Sequence, residues 1–102
     1  MKRYLHVGGL VAVGFDVSGD YLLTISHSGR GVFSTQTWER VARSTELAYP
    51  NERGFGIGIG PIEGQAIAVC EIDYASGQMR VAGPEGKFVL HCESSGIAIV
   101  DM

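Results

Sequence analysis

Short apolar runs separated by glycine-rich turns recur along this chain, and almost none of them has helical spacing. Residues 4–7 (YLHV) and 10–15 (LVAVGF) are apolar, with Gly8 and Gly9 forming a bend or bulge between them. A turn at 18–20 leads into 21–26 (YLLTIS), and a second at 27–29 leads into 31–34 (GVFS). Residues 38–43 (WERVAR) alternate, with Trp38, Arg40 and Ala42 on one side and Glu39, Val41 and Arg43 on the other, as a half-exposed edge strand would. Residues 44–64 are irregular: a polar loop through Pro50 and Asn51, then a stretch in which glycine alternates with apolar residues, GFGIGIGPIEG. Beyond it lie 65–72 (QAIAVCEI), 78–82 (QMRVA), 87–92 and 97–100, divided by turns at 75–77, 84–86 and 94–96. The best helical candidate, 38–48, has too few apolar positions at i, i+3 and i+4 to sustain more than a turn. The pattern predicts an all-β, antiparallel domain with little or no helix.

One segment is written twice. Residues 17–35 (VSGDYLLTISHSGRGVFST) and 84–102 (PEGKFVLHCESSGIAIVDM) align without gaps, sharing Gly19/Gly86, Leu23/Leu90, Ser28/Ser95 and Gly29/Gly96. Apolar faces apolar between these points, at Tyr21/Phe88, Leu22/Val89, Ile25/Cys92 and Val32/Ile99. Each copy reads as turn, strand, Ser-Gly turn, strand.

The run FDVSGDYLLTISHSGRGVFSTQTWERV resembles a blade of a WD-repeat β-propeller. It has the Phe15–Gly19 turn, a second strand carrying Thr24 and Ser26, the Ser-Gly turn, a third strand and a hairpin into an outer strand. Residues 84–102 are similar to the middle of another blade, with Val100-Asp101 where that family often places Trp-Asp. The sequence departs from the family in its repeat offset, 67 residues against about 40–45, and lacks both the opening Gly-His pair and the Trp of the third strand. The hydrogen-bonded tetrad of WD blades therefore does not carry over. The resemblance implies two blade-like β-meander sheets, arranged as a half-propeller or sandwich, in a single domain spanning 1–102. Unit one runs over about 9–43, an irregular insert over 44–64, and unit two over about 65–102, with 4–7 available as a closing strand.

Composition agrees with a folded domain: 45% of the 102 residues are hydrophobic, 19% are charged, and 15 are glycine. No apolar run approaches the roughly 20 residues of a spanning helix. The opening MKRYLHVGGLVAVGF is interrupted by His6, Gly8 and Gly9 and has no small-residue cleavage site, so it reads as strand and the expected location is cytoplasmic. Cys70 and Cys92 each lie in an apolar run, which favours two buried, reduced thiols. The net charge of −3 is uneven: residues 1–51 carry five basic and four acidic side chains, residues 52–102 three basic and seven acidic. That balance disfavours nucleic acid or an anionic membrane and favours a basic protein partner.

No constellation points to catalysis. Gly54, Gly56, Gly58 and Gly60 lack the following Lys and the helix of a phosphate loop, so they indicate a flexible or closely approached strand, or a loop that orders on binding. Ser26 and His27, with Asp16 and Asp20 nearby, supply the residue types of a hydrolase triad, but neighbours on a strand face opposite ways. His91, Cys92, Glu93, Cys70 and His27 have no metal-ligand spacing, and no metal or cofactor is expected.

Two sets remain as candidate contacts. Arg30, Trp38, Arg40, Arg43, Tyr49 and Arg53 are of the types enriched at binding hot spots, with Trp38 in the core as the alternative reading. Glu63, Glu71, Asp73, Glu85 and Glu93 form an acidic set suited to a basic partner. The expected function is a non-enzymatic protein-binding module of the bacterial immunity-protein kind, covering the active site of a basic toxin. The alternative is a homo-oligomeric, propeller-like scaffold that binds a small ligand.

Overall fold

A computed structural model describes residues 2–102, and its order follows from which face of each strand is covered. Strands β2 (Leu10–Phe15), β3 (Tyr21–Ser26), β4 (Gly29–Ser34) and β5 (Arg40–Ser44) form an antiparallel meander. The two-residue strand β8 (Cys70–Glu71) joins it on the far side of β2, giving the order β5-β4-β3-β2-β8. Strands β9 (Gln78–Ala82), β10 (Phe88–Glu93) and β11 (Gly96–Asp101) form a second meander. Its outer position is filled by the first strand of the chain, β1 (Lys2–His6), which pairs with β11 to give β1-β11-β10-β9. A short ribbon of β6 (Phe55–Ile57) and β7 (Ala66–Ala68) makes a third layer. Among the described residues, the helical content is two 3-10 turns, at Gly60–Ile62 and Pro84–Gly86. The domain is all-β with antiparallel sheets.

Two apolar clusters hold the layers together. Val13, Leu22 and Phe33 of the first sheet meet Leu5, Leu90 and Ile99 of the second in one core. Leu23, Ile25 and Val32, on the opposite face of the first sheet, pack against Ile62 and Ile67 of the ribbon layer. Strand β3 is thus covered on both faces, and Leu22 through Ser26 are all buried. This is why YLLTIS is an unbroken apolar run whose exceptions, Thr24 and Ser26, turn their hydroxyls onto the Gly31 and Gly29 carbonyls. Strand β10 is covered on one face only, and FVLHCE alternates accordingly, with Phe88, Leu90 and Cys92 buried.

The sequence repeat is also a structural one. β3 and β4 span 21–26 and 29–34, while β10 and β11 span 88–93 and 96–101, each bound displaced by the same 67 residues. Gly19 and Gly86 occupy the equivalent left-handed turn at φ 77° and 69°, a conformation glycine adopts without steric cost.

Three expectations need correction. The run 65–72 is two strands in different sheets: the chain leaves the ribbon at Val69, whose N–H donates to the Gly54 carbonyl, and enters the first sheet as β8. Apolar character continues through the crossing because Ile67 and Ile72 pack in different clusters. The edge strand begins at Arg40, not Trp38, and its alternation is broken. Val32 pairs with Ala42 but Phe33 with Arg40, so Val41 is bulged. Cys70 is exposed on a sheet edge, and only Cys92 is buried.

Candidate functional site

The ribbon owes its position to glycines on both sides of the layer contact. Gly56 is buried, and a Cβ on it would lie 2.6 Å from Ile25 Cδ1. On the sheet beneath, a Cβ on Gly14 would lie 2.3 Å from the Ala68 carbonyl oxygen. The backbones therefore approach more closely than side chains permit. The strict alternation of the glycine-rich segment then puts Phe55 and Ile57 on the outside, 36% and 46% exposed. Their cross-strand partners are Ala68 and Ala66, also exposed, so four apolar side chains share one outward face. Exposed Leu47 and Tyr49 lie on the segment entering the ribbon. Residues 45–69 carry Glu46, Glu52 and Glu63 against Arg53 alone, a local balance of −2.

The residues singled out from the sequence are distributed over several surfaces. Arg30 is an internal strut: its side chain is 9% exposed, Nη1 donates to the Ile57 carbonyl at 2.8 Å, and Nη2 lies 3.9 Å from the Glu46 carboxylate. Its Nε is buried without a partner. Trp38 is half-buried and packs edge-on against Phe88, with centroids 5.0 Å apart, at the margin of the inter-sheet core. It holds a left-handed backbone at φ 59° where the chain turns from β4 to β5. Arg40 is exposed and lies over the Phe33 ring at 5.4 Å. The Tyr49 hydroxyl and His27 Nδ1 are 3.1 Å apart, pinning the entering segment to the β3–β4 turn. Arg53 is exposed in the turn closed by Asn51, whose side chain accepts from the Arg53 and Phe55 N–H groups.

The acidic set is equally spread. Glu63 follows the first 3-10 turn, Glu71 lies on β8, and Asp73 accepts from the Ala75 N–H in the next turn. Glu85 faces Lys87 at 3.5 Å on the surface, and Glu93 ends β10. Only Arg30, Tyr49, Arg53 and Glu63 belong to the ribbon's surroundings. Sequence reasoning missed Phe55, Ile57, Ala66 and Ala68. The available signal was the period of GFGIGIG: when glycine takes every second position of a strand, all the intervening side chains share a face.

The triad residue types do not converge. The Ser26 hydroxyl donates to the Gly29 carbonyl at 3.1 Å and contacts Ser28, while His27 turns outward to Tyr49. No group of three His, Cys, Asp or Glu side chains is placed to hold a metal ion among the described residues. Burial pushes the Cys92 thiol up to about 12, with Cys70 adding to the effect, so Cys92 is held protonated. No helix of the described residues is long and apolar enough to cross a membrane. No family model, curated protein or solved structure matches the chain.

Proposed function

We propose that this chain is a non-enzymatic protein-binding module that docks a basic partner on the outward face of the β6–β7 ribbon. The observation that carries the reading is the apolar quartet Phe55, Ile57, Ala66 and Ala68, turned to solvent by glycines that the fold needs on the inside. A contiguous apolar face marks an interaction surface more strongly than scattered exposed residues do. The segment that carries it has three carboxylates, of which Glu46 lies by Arg30 while Glu52 and Glu63 stand against Arg53, a small acidic excess that favours a partner whose own apolar patch is rimmed by Lys and Arg. The finer form of the reading is an immunity protein that covers a toxin's active site, supported by the acidic balance of the sequence.

Affinity capture from the native host tests the proposal, using the wild-type chain beside Phe55→Ser/Ile57→Ser. A basic partner recovered at 1:1 with the wild type, about tenfold or more weaker with the variant and weakened by salt, is the expected result. Equal recovery with both chains would remove the ribbon as the docking face. A second reading, homo-oligomeric assembly with a ligand site, draws on the outer face of the second sheet. There Val89, Ala98 and Val100 are half-exposed, and no layer packs over them among the described residues. A strictly monomeric mass by light scattering at high concentration excludes it.

A further inference from the structure

Away from the ribbon, the first sheet carries a cavity of about 220 Å³ where β3, β4 and β5 meet the chain leaving β1. Its floor is bare backbone, because Gly29 and Gly31 of β4 project no side chain into it. Thr24 and Ser26 of β3 stand directly opposite these glycines and bring two buried hydroxyls to one wall. The facing wall is β5, where Arg43 pairs with Gly31 and Arg40 with Phe33. Residues three apart on a regular strand face opposite ways; the bulge at Val41 is what turns Arg40 and Arg43 to the same side. The Arg40 guanidinium is fixed over the Phe33 ring, with its Nε 3.8 Å from where a Gly31 Cβ would stand. His6 and Ser28 also line it.

The charge of this cavity is uncompensated. Neither the Arg40 nor the Arg43 side chain makes a hydrogen bond or an ion pair among the described residues, and no carboxylate lines the space. Arg30, third in the neighbourhood, directs its side chain to Ile57 and Glu46 on the opposite, ribbon-facing side of β4. Two arginines on one cavity, with no carboxylate among its lining residues, make it a locally basic site on a chain whose net charge is −3.

We propose that this cavity binds a phosphate group, free or as a small monoester. Arg40 and Arg43 clamp its oxygens from β5, and the Ser28 hydroxyl, which donates to Ser26 in the free chain, can exchange that contact for the anion. The two planar forks suit a polyvalent tetrahedral anion, and the glycine floor lets the anion sit against the sheet. The volume exceeds that of one phosphate, leaving room for the substituent of a monoester at the mouth beside His6. This site is independent of the ribbon face.

Titration of the 15N-labelled full chain with inorganic phosphate, and separately with ribose 5-phosphate, tests the proposal at constant ionic strength with chloride as the balancing anion. Saturable shifts at the amides of Ser28, Gly29 and Gly31 are expected with both ligands. Tighter binding of the ester assigns the ligand as a monoester, and equal binding assigns free phosphate. Arg40→Gln and Arg43→Gln each weaken binding about tenfold or more, while Arg53→Gln leaves it unchanged. Arg43→Lys, which keeps the charge but loses the fork, falls between them and guards against a variant that fails to fold. Linear, non-saturating shifts, shifts centred elsewhere, or affinity unchanged in the Arg40→Gln/Arg43→Gln chain would overturn the assignment.

Discussion

Replacing Gly14 by Ala separates backbone packing from backbone conformation. Gly14 lies in β2 without a left-handed φ, so alanine fits its backbone and would ordinarily stabilise a strand by about 0.5–1 kcal/mol. The new Cβ, however, would stand 2.3 Å from the Ala68 carbonyl oxygen, 2.8 Å from Val69 Cγ1 and 3.0 Å from Ile67 Cγ2. Ordinary contacts of this kind are about 3.5 Å, so β7 must retreat by about 1 Å. The atom in the way is backbone, paired across the ribbon to Phe55, and cannot rotate aside. Overpacking costs about 1–3 kcal/mol, and a fixed backbone atom this close places the cost in the upper half of that range, about 2–3 kcal/mol, leaving a net destabilisation of about 1–2.5 kcal/mol. For a domain of this size that lowers the melting temperature by about 4–20 °C. Urea unfolding gives the free energy directly. Gly8→Ala, where nothing lies within 4 Å of the added Cβ, provides the control and should stay within about 0.5 kcal/mol of the wild type. A Gly14→Ala chain that is as stable as the wild type, or more so, would refute the account of how the ribbon is seated.

Other outcomes follow from the same geometry. Cys70 should react with a thiol reagent in the folded chain, and Cys92 only on unfolding. Because the folded Cys92 thiol titrates near 12 and the unfolded one near 9, the unfolded state holds fewer protons between those values. Its contribution to stability is therefore complete below pH 9 and is lost as pH rises toward 12. In a Cys70→Ser background, stability against pH should fall more steeply above pH 9 with Cys92 than with Cys92→Ala; parallel curves would contradict this. Glu85→Gly relieves a non-glycine residue at φ 59° and gives up only an exposed ion pair with Lys87, so thermal unfolding should show a gain of about 0.5–1 kcal/mol. A loss would mean that the left-handed turn at this position carries no strain.

Much of the architecture was legible because strand burial leaves a local trace. YLLTIS, without alternation and with only two small hydroxyl residues, is the strand with a layer on each side, and FVLHCE, alternating, is the strand with one face open. The Ser-Gly turns fix both hairpins, and the two copies of the repeat fold with matching bounds. The bulge at Val41 left no such trace. WERVAR has a regular period 2, and only pairing with β4 decides that one residue drops out of register. The split of 65–72 was hidden for a related reason: Ile67 and Ile72 are apolar toward different layers, and one-dimensional hydropathy cannot say which.

By itself, the sequence determined an all-β chain with two equivalent hairpins, its turns, and the glycines that allow close approach of backbones. It also set an acidic balance with no spacing suited to a nucleophile–base pair or a metal. Tertiary structure decided which side chains meet solvent. Phe55 and Ile57 face outward because Gly14 and Gly56 must sit between layers, whereas Arg30, expected on the surface, is drawn inward to the Ile57 carbonyl. Arg40 and Arg43 share a cavity because a pairing register, set between strands, overrides the period of one strand. Local propensity is a property of neighbours in the chain; exposure and convergence of charge belong to neighbours in space.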